Sequence, residues 1–268
     1  MILLLGGTSE TSSIATRLAE AGLSVLVSTA TDEALEVGRH PRIERRSGRL
    51  DAAAMAALAR ERSVRVLVDA THPYAAEVRA TAARVAADLG LEYFTFVRPG
   101  FDPAAPGLRR GKPGSGDDIS NNVHCAATHA EAASVAFSFG RPVLLTTGST
   151  HLGPYAEASR RTGVPLVARV LPREESVEAC RAAGIPADRI IAARGPFSIS
   201  DNVEHIRRHA IGVLVTKDSG AAGGVPAKLD AASAEGCAVV LIERPASPRR
   251  NAYADIDALV AAVVAAGR

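Results

Sequence analysis

The stretch Ile2–Glu10, ILLLGGTSE, decides the fold of this chain. Four consecutive apolar residues are typical of a parallel strand that is buried on both faces. The two glycines after them permit a tight turn, and the amphipathic stretch at 12–21 predicts a helix after that turn. Backbone N–H groups at the start of such a helix bind anions. The stretch therefore predicts a phosphate-binding turn, whose candidate residues are Gly6, Gly7, Thr8, Ser9 and Glu10.

Short apolar runs alternate with helical patterns along the rest of the chain. Strands are predicted at 2–5, 24–28, 64–69, 93–97, 142–147, 164–171, 189–193, 212–216 and 238–243. Helices are predicted near 12–21, 51–62, 75–89, 127–139, 153–162, 174–183, 199–210, 224–235 and 253–266. This alternation indicates parallel sheets with right-handed crossovers and helices on both faces. Ligands of such sheets bind at the carboxyl ends of the strands.

The segment 98–122 is rich in Pro, Gly and charged residues and has no sustained period, so it predicts a linker or loop. We expect an α/β protein with two Rossmann-like parallel-sheet domains and a cleft between them. The N-terminal, dinucleotide-binding domain is predicted over 1–100, the linker over 101–124 and the C-terminal, substrate domain over 125–268. The last helix has the further option of packing back on the N-terminal domain.

Composition argues against several classes of protein. The formal net charge of +2 gives no reason to expect a nucleic-acid partner. The three cysteines lie far apart, so neither a disulfide framework nor a metal site is indicated. No apolar run approaches the roughly 18 residues that a membrane span needs, and no basic leader follows Met1. We expect a cytoplasmic protein without membrane contact, either a monomer or a small homo-oligomer.

The end of the second predicted strand bears on the choice of nucleotide. NAD-preferring folds tend to carry an acidic residue there, whereas this chain has Ser28 and Thr29. Hydroxyls, backbone amides and nearby arginines would hold a 2′-phosphate. Five arginines stand close by against one acid, and they form either a solvated basic face or a surface for a polyanion. They are Arg39, Arg42, Arg45, Arg46 and Arg49.

The motif Asp69–Ala75, DATHPYA, places His72 at the carboxyl end of a predicted strand. A lone histidine there is either structural or a residue for binding or proton transfer. In the second half, hydroxyl and basic residues follow several strand ends, at Thr147–Ser149, Arg169, Arg194–Ser198 and Lys217–Gly220. Each segment could be an ordinary turn, but together they suit a substrate that is rich in carboxylates.

Six segments appear in an order that resembles the precorrin-6A reductase family of cobalamin biosynthesis. They are GGTSE, DATHPYA, LTTGS, ARGPFS, TKDSGAAGG and the strand end Glu243–Pro245. The resemblance spans Met1 to about Pro245, although Phe101–Asn122 departs from the family in being long and rich in Gly and Pro. It implies a cytoplasmic NADPH-dependent enzyme that reduces one double bond of a tetrapyrrole at carbon 19, with protonation at the neighbouring carbon.

The resemblance also implies roles for individual residues. Cofactor contacts fall to Gly6, Gly7, Thr8, Ser9, Glu10, Ser28, Thr29 and Thr71. Substrate contacts are assigned by the resemblance to Tyr74, Thr147, Gly148, Ser149, Arg194, Ser198, Asp218 and Ser219. Two further substrate contacts are predicted from the sequence itself, Arg169 at the end of a predicted strand and Lys228 beside the second glycine-rich segment. His72 and Lys217 are the candidate proton donors. The alternative is that these residues only bind substrate carboxylates and that solvent supplies the proton.

Three other functions stay open at this point. One is an NADH-dependent reductase that acts on the cobalt-loaded macrocycle. Another is a non-enzymatic module that senses a nucleotide, although such a module has no use for Arg194, Lys217 and Lys228. A third is methyl transfer on the same macrocycle, which would need a site for S-adenosylmethionine.

Overall fold

The computed structural model describes residues 1–30, 36–98, 100, 109–110, 122–220, 223–245 and 251–267. The strands are β1 Ile2–Leu5, β2 Val25–Thr29, β3 Ile43–Ser47, β4 Val66–Asp69, β5 Glu92–Phe96, β6 Arg109–Arg110, β7 Asn122–Ala126, β8 Val143–Leu145, β9 Leu166–Val170, β10 Ile190–Ala192, β11 Val213–Lys217, β12 Ala238–Ile242 and β13 Ala252–Tyr253. The helices are α1 Thr11–Glu20, α2 Ala52–Glu61, α3 Ala76–Leu89, α4 His129–Ser138, α5 Gly153–Thr162, α6 Glu174–Ala182, α7 Ile199–Arg208, α8 Val225–Ala234 and α9 Ile256–Gly267. The chain divides into two compact units, Met1–Pro99 with Pro245–Arg268, and Gly100–Arg244.

The first unit contains a six-stranded parallel sheet in the order β13-β5-β4-β1-β2-β3. This is the Rossmann order 3-2-1-4-5-6, with β1 beside the point where the order reverses. Side chains alternate across β1, as the pleat requires. Ile2 and Leu4 lie in one apolar core with residues of α1 and α9, while Leu3 and Leu5 lie in another with residues of α2 and α3. Both faces of the sheet are therefore covered by helices.

The second unit contains a seven-stranded parallel sheet in the order β10-β9-β8-β11-β12-β7-β6. β8 takes the place that β1 has in the first sheet, because it pairs with both β9 and β11. Val123, Leu144 and Leu214 lie in an apolar core with residues of α7 and α8, such as Ile206 and Leu229. The predicted α/β class with two Rossmann-like parallel sheets is confirmed.

Four strands were not predicted. β3 has the sequence IERRS and pairs only with β2, so an edge strand held by backbone hydrogen bonds has no apolar run to mark it. β7 carries polar residues in the sequence NVHCA, and β6 and β13 have two residues each. Such short or polar strands lack the hydrophobic period on which the prediction depends.

The predicted domain limits differ from the two units. β7 begins at Asn122, before the predicted limit at 125, and the segment from Pro245 onwards belongs to the first unit, which agrees with the option stated for the last helix. The reason is apolar burial, because Leu259 and Val263 of α9 share a core with Ile14 and Leu18 of α1. Most of the predicted linker, at 101–108 and 111–121, lies outside the described residues and stays a prediction. Within the described ranges, no helix has the length and apolar character that crossing a bilayer requires.

Candidate functional site

The turn between β1 and α1 depends on its glycines and on Thr11. A Cβ atom on Gly6 would lie 2.5 Å from Cγ2 of Thr11, and Gly7 has a φ of +131°. The N–H groups of Gly7 and Thr8 both donate to Oγ1 of Thr11 at 3.2 Å. These two N–H groups were expected to face an anion, but the hydroxyl at the sixth position of the turn accepts from them. Thr11 therefore fixes the shape of the turn.

Arg98 holds the acidic end of this turn, a role that the sequence did not indicate. Its Nε donates to Oε1 of Glu10 at 2.8 Å, and Nη2 donates to Oγ of Ser9 at 3.2 Å and to the other Glu10 oxygen. Burial opposes ionisation of Glu10, but Arg98 outweighs it and holds the pKa of Glu10 below its usual value. The turn consequently carries a paired carboxylate.

The ends of β2 and β3 bring hydroxyls and arginines together. Nη1 of Arg46 donates to Oγ of Ser28 at 2.9 Å, and Nη2 of Arg45 lies 3.5 Å from Oγ1 of Thr29. Arg46 is held in place by the carbonyls of Ser47 and Gly48, at 2.8 and 2.9 Å. Because Ser28 pairs with Arg46 and Thr29 pairs with Ser47 in the parallel register, the unpredicted strand β3 is what places these arginines.

Asp69 organises the turn after β4. This carboxylate is fully buried. It accepts from the N–H and hydroxyl of Thr71, at 2.9 and 2.6 Å, from Nε of Arg79 at 3.1 Å and from the hydroxyl of Tyr93 at 3.0 Å. Thr71 is thereby fixed at the carboxyl edge of the sheet. Oγ1 of Thr8 donates to the carbonyl of Ala70 at 3.0 Å, which joins this turn to the glycine turn.

His72 and Tyr74 lie in the same turn and contact each other. The N–H of Tyr74 donates to Nδ1 of His72 at 3.4 Å, and the ring centroids are 5.6 Å apart. Both residues are half-buried. The sequence correctly placed His72 at the carboxyl end of a strand, while its role in proton transfer stays a prediction.

Two basic residues of the second unit are nearly buried. Arg169 is 5% exposed, and Lys228 is 9% exposed. Nη1 of Arg169 donates to Oδ1 of Asn202 at 2.8 Å, and its guanidinium lies 3.9 Å from the ring centroid of Phe197. Nζ of Lys228 donates to Oγ1 of Thr216 at 3.2 Å. Burial lowers the pKa of Arg169 to about 10, while burial and the charge of Arg169 lower the pKa of Lys228 to about 8.

Other candidates of the second unit have contacts within the fold. Ser198 caps α7, because its Oγ accepts from the N–H of Asp201 at 3.1 Å while its own N–H donates to that carboxylate. Arg194 is exposed after the edge strand β10. Gly148 has a φ of +83°, and Oγ of the next residue, Ser149, donates to Oγ of Ser176 at 3.3 Å. Oγ1 of Thr147 is a buried oxygen without a hydrogen-bond partner in the part of the chain that the structure describes.

The segment after β11 contains Lys217, Asp218 and Ser219. Asp218 forms an ion pair with Arg244, whose Nε lies 3.1 Å from Oδ2 and also donates to the Asp218 carbonyl at 2.7 Å. Oγ of Ser219 donates to the carbonyl of Gly223 at 3.3 Å. Lys217 is half-buried, and burial lowers its pKa. Asp218 is therefore tied to a cation of its own unit, which the sequence did not reveal.

A cluster of aromatic side chains near Lys217 was also missed. His129 and His151 stack with their ring centroids 4.3 Å apart, and Nδ1 of His129 lies 3.0 Å from the hydroxyl of Tyr155. The two histidines are 22 residues apart in sequence and have no motif spacing that would have linked them. The contact arises because α4 and α5 pack together.

Comparison with known proteins places these features in one family. The family model for precorrin-6x reductase CbiJ/CobK matches residues 1–264. A cobalt-precorrin-6A reductase of Priestia megaterium is 32% identical over 265 residues and covers 98% of both chains. A precorrin-6A reductase of Rhodococcus erythropolis is 33% identical over 251 residues, 92% of this chain and 90% of the relative. The solved structure of a CobK precorrin-6A reductase is 28% identical, covers 99% of this chain and 97% of its own, and has a TM-score of 0.78. This chain belongs to the precorrin-6x reductase family.

Proposed function

We propose that this chain reduces precorrin-6A with NADPH, delivering a hydride to carbon 19 of the tetrapyrrole, while a proton is added at the neighbouring carbon. The nicotinamide of the bound nucleotide supplies the hydride. Membership of the family over residues 1–264 supports the reaction. The proposal includes the cytoplasmic location expected from the sequence.

The observation that carries the choice of NADPH is the group of hydroxyls and arginines at the end of β2. Ser28 stands where NAD-preferring folds carry an acid, and Arg46 donates to it at 2.9 Å. A 2′-phosphate carries negative charge and several acceptor oxygens, which suit guanidinium and hydroxyl donors. The plain ribose of NADH carries no phosphate for these donors to bind.

The glycine turn is the proposed site for the diphosphate. It lies at the carboxyl end of β1, beside the point where the strand order reverses, which is where Rossmann sheets bind nucleotides. The close contact of Gly6 with Thr11 brings the first residue of helix α1 against the residue that follows β1. Arg98 pairs with Glu10, so the carboxylate at this turn does not repel the ligand as an unpaired charge would.

Arg169 and Lys228 support an acidic substrate in the second unit. Neither forms an ion pair with a carboxylate within the described parts of the chain. Burying a cation costs several kcal/mol unless an anion compensates it. An acetate or propionate group of the macrocycle would provide that anion, so we propose that these two residues bind substrate carboxylates.

The proton donor is the open part of the proposal, with His72 and Lys217 as the candidates. Burial lowers the pKa of Lys217, which makes its ammonium a stronger acid than that of an ordinary lysine. A donor is expected to lower kcat when it is replaced, whereas a carboxylate ligand is expected to raise KM. Separate His72→Gln and Lys217→Gln variants, assayed for both constants, distinguish the two roles.

The cofactor proposal is tested by anaerobic assay with precorrin-6A and each nucleotide. We expect the wild type to consume NADPH in a one-to-one ratio and to use NADH poorly. Arg46→Ala is expected to lower kcat/KM for NADPH about tenfold, the size expected for a hydrogen bond to a charged group, and to leave NADH unchanged. Arg181→Ala is the control, because this arginine lies on α6 in the second unit and its side chain is 58% exposed.

Two results would contradict this assignment. One is a wild-type preference for NADH, and the other is an equal loss with both nucleotides in Arg46→Ala. The same assay with the cobalt-loaded macrocycle and each nucleotide tests the alternative of an NADH-dependent cobalt-precorrin-6A reductase.

A further inference from the structure

Two imidazole rings stack at the carboxyl edge of the second sheet. His129 begins α4 after β7, and His151 precedes α5 after β8. Their ring planes are inclined by 30°. Burial raises the pKa of Tyr155, so its hydroxyl keeps its proton, and this hydroxyl lies within hydrogen-bond distance, 3.0 Å, of Nδ1 of His129. His129 is half-buried, whereas His151 is exposed and can contact a ligand directly.

Lys217 acts electrostatically on both rings. It ends β11, which lies next to β8 in the sheet. Burial, His151 and Lys217 lower the pKa of His129 to about 4, and burial and Lys217 lower the pKa of His151. Both imidazoles are therefore mainly neutral at pH 7.

Acids also lie on the elements that surround the two imidazoles. The carboxylate of Glu131 on α4 accepts from the N–H of Ala127 at 2.8 Å. Glu157 lies on α5, and Glu243 follows β12. Among the described residues, neither imidazole has a hydrogen bond or ion pair with a carboxylate. The basic residues Arg160 and Arg161 lie in the last turn of α5, at the end opposite His151.

We propose that His151 and Lys217, with His129 behind them, bind a carboxylate of the tetrapyrrole, and that the imidazole pair takes up one proton from solvent on binding. This inference rests on the proposed function, which supplies the acidic ligand. A carboxylate next to the rings favours the imidazolium form, so binding and protonation reinforce each other. Affinity is consequently expected to rise as the pH falls from 8 to 6.

The probe is uroporphyrin I, a stable tetrapyrrole with acetate and propionate groups. The full chain is titrated by calorimetry at pH 6, 7 and 8, in two buffers of different ionisation enthalpy, which counts the protons taken up. We expect the wild type to take up protons when it binds uroporphyrin I, and to bind this ligand more tightly at pH 6 than at pH 8. His151→Gln is expected to abolish the uptake and to weaken binding about tenfold at pH 6, with little change at pH 8.

His209→Gln makes the same substitution at the end of α7 and is expected to keep the wild-type uptake. Because His151 is exposed, its replacement removes little packing, and circular dichroism checks that the variant is folded. Uptake that persists in His151→Gln, or a wild type that does not bind uroporphyrin I, overturns the inference. A parallel assay of precorrin-6A reduction with NADPH separates the two proposals. If the wild type reduces precorrin-6A and proton uptake is unchanged in His151→Gln, only the carboxylate site is rejected. If proton uptake depends on His151 but the wild type does not reduce precorrin-6A, only the reductase reaction is rejected.

Discussion

Replacing Asp69 by alanine is expected to destabilise the first unit strongly. The carboxylate is fully buried and accepts from Thr71, Arg79 and Tyr93. Arg79 is 9% exposed, so the variant leaves a buried cation without its partner. Breaking a buried ion pair in this way costs about 3–5 kcal/mol. That is a large share of the roughly 5–15 kcal/mol by which most folded proteins are stable.

The assay is urea unfolding followed by circular dichroism, with hydrogen exchange to show which unit opens. We expect faster exchange in the first unit and unchanged exchange in the second. Asp69→Ala combined with Arg79→Ala is expected to cost less than the sum of the single changes, because no charge is left unpaired. Glu44→Ala is the control, since Glu44 is 57% exposed and pairs with Arg62, and such a surface pair contributes up to about 1 kcal/mol. If Asp69→Ala costs no more than this control, the reasoning about the buried network is wrong.

Two further outcomes are expected. Gly6→Ala should weaken NADPH binding and lower stability, because its Cβ would lie 2.5 Å from Thr11. Gly153→Ala is the control and should be neutral, because no atom lies within 4 Å of its added Cβ. Equal affinities of the two variants for NADPH, measured by fluorescence titration, would contradict this. The free energy of unfolding should rise with pH from about 8 towards the ordinary lysine pKa of 10.5, because the pKa of Lys228 is lowered to about 8 and the unfolded chain binds more protons there. Lys228→Met should flatten this rise in urea titrations, and an unchanged slope would count against the lowered pKa.

Local patterns were sufficient for most of the fold. The apolar run before Gly6 and its repetition along the chain identified β1 and the other buried strands, because a strand covered on both faces must be apolar throughout. The edge strand β3 was not predicted, because it is held by backbone hydrogen bonds to β2 and its sequence, IERRS, buries few side chains. The strand β13 was not predicted because two residues are too few to show a hydrophobic period.

The sequence by itself determined the class of fold, the glycine turn and the positions of Ser28 and His72 at strand ends, because these depend on residues that are close together in the chain. Only the tertiary structure decided which side chains meet. Arg46 reaches Ser28 through the register of β2 and β3, Arg98 reaches Glu10 across 88 residues, and His129 meets His151 through the packing of α4 on α5. Contacts between residues distant in sequence depend on strand order and helix packing, which are properties of the whole folded unit and which no local period encodes.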